Sequence, residues 1–306
     1  MKRTATYPSK VMLVGEYGVV LGGSALTIPF HRYSARVRGS EDIPEEKAGE
    51  ARLSRRYLTD LYRYISTLPG DSFHARPNLD LFSGQLEKYW LEMNIPTGYG
   101  LGSSGAVSAA IYDMFFPEAR NISLSRQKED LATIESFFHG KSSGVDALTC
   151  HAGTALHFFQ NGEIRKADFD PSHIPGGYRF FLLDSGQRLD TGPLVNHFIQ
   201  MMDDPSFASS IRNEYLPINQ KLVEALLGVR DADPALLVRI LSDFQFLHFR
   251  KMIPDQSADL WLEGQVTNEF YLKLNGSGGG FMLGITHETS MDTLEERWKE
   301  KVIWIG

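Results

Sequence analysis

The chain has 306 residues, enough for about two domains of average size, and 42% of them are hydrophobic, so a large buried core is expected. Its 31 basic and 38 acidic residues give a formal net charge of −7, which argues against nucleic acid as the main partner because phosphate backbones attract net-basic surfaces. The single cysteine, Cys150, excludes an internal disulfide and favours a reducing compartment. With no signal-peptide pattern and no apolar run of about 20 residues, we expect a cytoplasmic protein without membrane spans.

The first half of the chain is rich in predicted strands. Two of them lie on either side of a glycine turn at 21–23, and 33–38 alternates as a half-exposed strand does. The predicted strands cover 10–14, 24–29, 33–38 and 88–95. Apolar residues at helical spacing predict helices over 51–68, 103–116 and 125–138. The polar segment 40–50 favours a loop, and 155–169 is typical of a hairpin that turns at Asn161-Gly162.

The second half begins near Tyr178 and mixes helices with strands. Predicted strands cover 179–183, 271–274 and 281–285. Predicted helices cover 194–202, 209–227, 234–248 and 258–263, and a last helix and strand close the chain. Because helices and strands do not alternate strictly, the pattern favours an α+β fold over a doubly wound parallel sheet.

The segment 95–105, IPTGYGLGSSG, is a glycine-rich loop that leads into a helix. Such a loop turns backbone N–H groups toward one point, and the helix N-terminus adds a partial positive charge, so the pattern predicts a phosphate site. It is neither a Walker loop nor the dinucleotide-binding pattern. The alternative is an ordinary strand–turn–helix with Ser103 or Ser104 as N-cap.

A second pattern runs from Glu135 to Asp146. Leu131, Glu135 and Phe138 share one helix face, so the Glu135 carboxylate is expected to face inward and to need a basic side chain or a divalent cation. The sequence Ser-Gly-Val-Asp at 143–146 fits a capping box, in which Asp146 would only close a helix start.

Two further segments complete the set of candidates. Between two predicted strands, 275–280 has four glycines, more than a hairpin turn requires, which suggests a backbone that a ligand approaches closely. Near the N-terminus, Lys10 opens a strand, where a solvated lysine is the ordinary expectation. Glu16 stands in an otherwise apolar run.

Together, these four segments resemble the motifs of the GHMP kinases, the small-molecule kinases named for galactokinase and for homoserine, mevalonate and phosphomevalonate kinases. The resemblance runs along nearly the whole chain. Segment 8–23 is similar to the first motif of the family, 96–105 to the second, which is the ATP phosphate loop, and 275–280 to the third. Within the family, the pattern from Glu135 to Asp146 most resembles that of the mevalonate kinases.

The resemblance implies an α+β, two-domain GHMP kinase fold. A ribosomal protein S5 domain 2-like domain that binds ATP would cover 1–175, and a ferredoxin-like domain would cover 176–306. The implied activity is the ATP- and Mg²⁺-dependent phosphorylation of the primary hydroxyl of mevalonate, in isoprenoid precursor synthesis. The implied protein is a monomer or homodimer that acts on a small molecule and has no nucleic-acid or membrane partner.

The resemblance also implies roles for individual residues. Asp146 would be the general base, with Lys10 beside it as the second catalytic residue, and Glu135 and Ser104 would hold Mg²⁺. The implied ATP-binding residues are Gly98, Gly100, Leu101, Gly102, Ser103, Ser104, Gly105, Gly276, Ser277 and Gly278. The implied substrate-binding residues are Glu16, Tyr17, His139, Ser143 and Thr191.

The chain departs from the family pattern at three positions. Tyr17 stands where mevalonate kinases commonly have His, Ala147 where Asn is usual, and Gly105 where the phosphate loop has Ala. The first two bear on the identity of the substrate.

Two other functions stay open. One is another GHMP kinase such as a phosphomevalonate kinase, whose phosphorylated acceptor would need cations for which the candidates are Arg32, Lys141 and Arg188. The other is a catalytically silent nucleotide-binding protein. The complete set of Lys10, Ser104, Glu135 and Asp146 argues against silence.

Overall fold

The computed structural model describes residues 5–41 and 43–306, and the chain divides into two compact units. The first unit contains the chain up to Lys10, Ile28–Pro96 and Gly102–Thr154. The second contains Val11–Thr27, Thr97–Leu101 and Ala155–Gly306. Neither unit is one continuous stretch of chain, and the domain boundary at residues 175 and 176 stays a prediction.

The described strands pair into two sheets. The strands are β1 (Thr6–Val14), β2 (Ala25–Gly39), β3 (Tyr89–Met93), β4 (Leu156–Phe158), β5 (Ile164–Lys166), β6 (Tyr178–Asp184), β7 (Phe270–Leu274), β8 (Phe281–His287) and β9 (Val302–Ile305). One sheet has the order β1-β2-β4-β5, with β3 antiparallel to the far part of β2, where Val37 faces Leu91. The other has the order β7-β8-β6-β9, and β6 pairs antiparallel with β8 along its whole length.

The helices fill the intervals between these strands. They are α1 (Ala48–Thr67), α2 (Leu79–Ser83), α3 (Ser103–Phe115), α4 (Leu124–His139), α5 (Val145–Ala152), α6 (Thr191–Met201), α7 (Pro205–Ser210), α8 (Leu216–Leu226), α9 (Pro234–His248), α10 (Ala258–Thr267) and α11 (Met291–Trp298). A π-helical turn, Ile211–Tyr215, joins α7 to α8. Within residues 5–41 and 43–306, none of the helices combines the length and hydropathy that crossing a bilayer requires.

Several predicted elements have different bounds in the structure. The break predicted between 29 and 33 is wrong, because β2 continues through it while only His31 and Arg32 turn outward. The predicted loop over 40–50 ends early, since a short helical turn covers Glu45–Lys47 and α1 begins at Ala48. By contrast, α9 has the predicted bounds, which Asp233 as N-cap and a first-turn proline define.

Among the short helices, α2 was not predicted from the sequence, and α5 was indicated only as a helix start near Asp146. α2 has five residues and begins where the Asn78 side chain accepts a hydrogen bond from the Leu81 N–H (2.9 Å). α5 has eight residues between Gly144 and Gly153, both in the left-handed conformation. Elements this short contain too few residues for a helical period to be detected.

The first unit is held together in part by a buried carboxylate on α4. Asp130 is 1% exposed. It accepts hydrogen bonds from the backbone N–H groups of His74 (2.7 Å) and Ala75 (3.0 Å) and from the Tyr112 hydroxyl (2.8 Å). These bonds fix the loop before α2 and helix α3 to α4, and they satisfy a carboxylate whose burial would otherwise be costly.

We expect Asp130→Ala to lower the free energy of unfolding by about 3 kcal/mol or more, because three donors, two of them buried, lose their acceptor and each orphaned buried donor costs about 1–3 kcal/mol. Urea unfolding followed by circular dichroism measures this. The control is Glu129→Ala, which removes the neighbouring carboxylate of an exposed pair with His74 and should cost about 0–1 kcal/mol. Equal losses in the two variants would contradict the role of Asp130.

Candidate active site

The glycine-rich loop adopts the left-handed backbone conformation at every second position. Gly98, Gly100 and Gly102 have φ values of 79°, 73° and 71°, which L-residues with a Cβ rarely adopt. Gly102 is the N-cap of α3, so the alternative reading with Ser103 or Ser104 as cap is wrong: both serines lie in the first helical turn. A left-handed loop that opens a helix is the arrangement in which backbone N–H groups bind anions.

Lys10 and Asp146 form an ion pair in the first unit. Lys10 lies within β1 and is completely buried, so the ordinary expectation of a solvated lysine is wrong. Its Nζ is 3.0 Å from Asp146 Oδ1, while the Asp146 side chain stays 32% exposed. The pair therefore presents a carboxylate to the outside and keeps the ammonium behind it.

Asp146 does not cap its helix. It lies in the first turn of α5, whose N-cap is Gly144 with φ 72°, a residue that has no side chain with which to cap the helix. The capping-box hypothesis is wrong for this reason. A carboxylate in the first turn still interacts favourably with the helix dipole, so the ammonium and the helix both favour negative charge at this point.

Two glycines at the start of α3, the N-cap Gly102 and Gly105 in the first turn, lie directly against this pair. A Cβ built on Gly102 would be 3.0 Å from Lys10 Cγ and 3.6 Å from Asp146 Cβ. A Cβ on Gly105 would be 2.9 Å from the carbonyl carbon of Asp146 and from the backbone nitrogen of Ala147. An alanine at position 105 would force α3 and α5 apart, so the departure from the family pattern at Gly105 follows from close helix packing.

Glu135 is a buried carboxylate on α4, 4% exposed, as its helical stripe predicted. The Ser104 hydroxyl donates to Oε1 (2.8 Å) and the Ser142 hydroxyl donates to Oε2 (2.5 Å). Ser142 also accepts a hydrogen bond from the Gly144 N–H (3.0 Å), which connects Glu135 to the start of α5. The sequence did not single out Ser142, because nothing in its spacing distinguishes it from the adjacent Ser143.

Burial raises the pKa of Glu135 to about 7, and the negative charge of Asp146 raises it as well. The two serine hydroxyls and the Lys10 ammonium lower it and only partly compensate. Two carboxylates thus share one ammonium, an excess of negative charge that favours a bound cation. Among residues 5–41 and 43–306, no three His, Cys, Asp or Glu side chains are grouped to hold a metal by themselves. The oxygen donors fit a Mg²⁺ ion that takes its other ligands from water or a phosphate.

A second group of predicted residues lies in the second unit. Glu16 is 1% exposed and forms a completely buried ion pair with Lys273, which also donates to the Leu274 carbonyl (2.8 Å). Next to it, the Tyr17 hydroxyl donates to the Ser277 carbonyl (2.5 Å), and the Ser277 hydroxyl donates to that of Thr191 (3.0 Å). The structure therefore brings Tyr17, Ser277 and Thr191 together and leaves Glu16 in an internal ion pair.

The glycine excess in 275–280 is explained by packing within the protein. A Cβ on Gly278 would be 2.3 Å from the Met252 carbonyl oxygen, and a Cβ on Gly280 would be 2.2 Å from Tyr99 Cα. Gly279 is equally close to Leu189 (2.5 Å). Side chains at these positions would displace neighbouring backbone, so the hypothesis that a ligand requires these glycines is unnecessary for these three.

Two predicted substrate residues remain untested by this geometry. The side chain of His139, the last residue of α4, lies outside the described part of the structure. Ser143 is exposed, and its hydroxyl accepts a long hydrogen bond from the Val145 N–H (3.4 Å). Both assignments stay predictions.

Comparison with known proteins confirms the resemblance to the GHMP kinases that the sequence motifs indicate. Residues 72–154 match the family model for the GHMP kinases N-terminal domain. A curated mevalonate kinase of Aeropyrum pernix is 27% identical over 325 aligned residues, which cover 98% of this chain and 92% of that protein.

Solved structures agree on the fold. The L. major mevalonate kinase in complex with R-mevalonate superposes with a TM-score of 0.66 at 17% identity, covering 99% of this chain and 95% of that one. A Streptococcus pneumoniae phosphomevalonate kinase gives a TM-score of 0.63 at 16% identity, covering 99% and 100%. The chain has the fold of the GHMP kinases, and the predicted α+β class is confirmed.

We expect Glu135→Gln to stabilise the metal-free, nucleotide-free protein at pH 8 and not at pH 4. Between about 4.5 and 7 the folded protein keeps a proton that the unfolded chain has lost, so the wild-type free energy of unfolding falls as pH rises through this window. Gln does not ionise, so the free energy of unfolding of the variant should exceed that of the wild type by about 1–3 kcal/mol at pH 8.

The measurement is urea unfolding of both proteins across this pH range in the presence of a chelator. Asp60→Asn is the control, because its partner Arg63 keeps its charge across this pH range, and it should show no pH-dependent gain. A difference between Glu135→Gln and wild type that is the same at pH 4 and pH 8 would contradict the raised pKa.

Proposed function

We propose that this chain, a GHMP kinase by its N-terminal domain and fold, transfers the γ-phosphoryl group of ATP to the primary hydroxyl of mevalonate. The observation that carries the proposal is the Lys10–Asp146 pair, which lies against Gly102 at the end of the glycine-rich loop. The mevalonate kinase of Aeropyrum pernix, similar along nearly the whole chain, supports the choice of acceptor.

The Lys10–Asp146 pair provides a base for the acceptor's hydroxyl and a positive charge for the oxygen that loses its proton. Asp146 is accessible and takes the hydroxyl proton, and the acceptor oxygen then forms its bond to the γ-phosphorus while the bond from phosphorus to the ADP oxygen breaks. Lys10 stabilises the negative charge on the attacking oxygen, and its complete burial keeps that charge interaction strong. Proton transfer and positioning account for most of what a protein contributes to phosphoryl transfer.

The nucleotide phosphates bind to backbone N–H groups. The residues concerned are those of the glycine-rich loop and of the first turn of α3: Gly98, Gly100, Leu101, Gly102, Ser103, Ser104 and Gly105. Gly276, Ser277 and Gly278 form a second nucleotide-binding loop. Thr191 and Ser143 contact the acceptor.

Glu135 and Ser104 would hold Mg²⁺. When bound, the ion neutralises the negative charge of the transferring phosphate. Ser142 keeps the Glu135 carboxylate in one orientation, because its hydroxyl occupies the oxygen that Ser104 leaves free.

We expect ADP release with mevalonate in a panel that also contains phosphomevalonate, homoserine and galactose. A coupled assay with ATP and Mg²⁺ measures it. The fold is shared with phosphomevalonate kinases, so turnover with phosphomevalonate and none with mevalonate would reassign the acceptor. No turnover with any of the four would favour a silent nucleotide-binding protein.

We expect Asp146→Asn to lower kcat by about 10²–10⁴-fold, the usual contribution of a general base. Nucleotide affinity should change little, whereas the melting temperature should fall, because the completely buried Lys10 ammonium loses its negatively charged partner. Stopped assays, calorimetry with a non-hydrolysable ATP analogue and a thermal scan on one preparation measure the three quantities.

The matched control is Asp60→Asn, a half-exposed position on α1 that pairs with Arg63, and it should leave all three quantities unchanged. Mass spectrometry must exclude deamidation back to Asp in the Asp146 variant. A kcat within a few-fold of wild type would remove Asp146 from the mechanism.

A further inference from the structure

We infer that Tyr17 is a positioning residue for the nucleotide-binding loop Asn275–Gly280, and not a ligand of the acceptor. The inference rests on the proposed function for the role of that loop. It replaces the substrate contact that the sequence pattern predicted at Tyr17.

Tyr17 has no free surface with which to meet a substrate. It is 4% exposed, and its ring packs between Phe198 (4.8 Å between ring centroids) and Phe249 (5.3 Å). Its only side-chain polar atom donates to the Ser277 carbonyl (2.5 Å). Burial raises the pKa of Tyr17, so the hydroxyl remains protonated and remains a donor.

The backbone at Tyr17 is held in place by the contacts of the preceding residue, Glu16. Its φ is 57°, a conformation that a bulky side chain adopts only when its surroundings impose it. The preceding residue supplies that constraint: Glu16 is paired with Lys273, and the Tyr215 hydroxyl donates to the Glu16 carbonyl (2.9 Å).

Lys273 lies four residues before Ser277, so the segment that contains Glu16 and Tyr17 is connected twice to the segment 273–277. One connection is the buried ion pair of Glu16 and Lys273. The other is the hydrogen bond from the Tyr17 hydroxyl to the Ser277 carbonyl in the loop. Two connections between the same pair of segments define an orientation, which one connection alone would not. Tyr17 thereby fixes where Ser277 lies relative to the turn after β1.

Asn275, the first residue of the loop 275–280, contacts the glycine-rich loop before α3. The Asn275 side chain donates to the carbonyls of Tyr99 and Gly100 (3.4 Å each). A Cβ on Gly100 would be 2.5 Å from the Asn275 carbonyl oxygen. A shift of Asn275–Gly280 therefore moves the backbone of the phosphate loop, and the effect of Tyr17 is expected on the nucleotide.

The test is Tyr17→Phe, which keeps the ring and its packing and removes only the hydroxyl. In the nucleotide-free protein, hydrogen exchange of the 275–280 amides should accelerate about fivefold, the effect of losing one hydrogen bond. KM for ATP, and Kd for a non-hydrolysable analogue, should rise by a similar factor. KM for mevalonate should stay within about twofold, the ordinary scatter of a neutral substitution.

Tyr271→Phe is the matched control. It makes the same chemical change on β7, where the hydroxyl bonds to the exposed Asn268 side chain (3.0 Å), and it should alter none of these quantities. If Tyr17→Phe fails to fold, Thr191→Val loosens the same loop through Ser277 and should accelerate the same amides.

A raised KM for mevalonate with unchanged exchange and nucleotide affinity would overturn the inference and restore Tyr17 as an acceptor ligand. Unchanged values throughout would overturn it as well. Exchange and calorimetry need no turnover, so they decide the role of Tyr17 even if the acceptor panel refutes the proposed kinase activity.

Discussion

The proposed chemistry depends on an ammonium that has no access to water. Lys10 lies inside a strand, and the accessible carboxylate of Asp146 is the partner that makes this burial tolerable. Gly102 lies against the aliphatic part of the lysine, and Gly105 against the backbone of α5. The position of the pair and the position of the start of α3 therefore depend on each other, because moving either would require moving the other.

Glycine meets two requirements in this chain. It adopts backbone with positive φ, both in the loop before α3 and in 278–280. It also provides the absence of a side chain where the protein packs against itself, at Gly100 and in 278–280. A sequence displays both requirements as a run of the same letter, and only the backbone angles and the neighbours of each Cα distinguish them.

Sequence reasoning predicted the helices with long periodic stripes, the inward face of Glu135 and the glycine-rich loop before α3. It did not predict α2, and it indicated α5 only as a helix start, because both helices are too short to show a period. It also missed Ser142, whose role depends on a hydrogen bond to Glu135, seven residues earlier in the chain. It also expected Lys10 to be solvated, because burial of a charge is set by a distant partner that no local pattern reveals. Local signals predicted local structure, the family resemblance alone placed Lys10 beside Asp146, and the Glu16–Lys273 pair became apparent only in the fold.

The ion pair of Glu16 and Lys273 joins residues 257 positions apart, and the hydrogen bond from Tyr17 spans 260. During synthesis, the turn after β1 leaves the ribosome long before its partners exist, so Glu16 must stay hydrated until nearly the whole chain is complete. Closing so long a loop costs entropy before any contact offsets it, and such topologies fold slowly. The second unit is thus completed last, and a chain cut before Lys273 would leave an acidic side chain in an apolar segment with no cation to meet it.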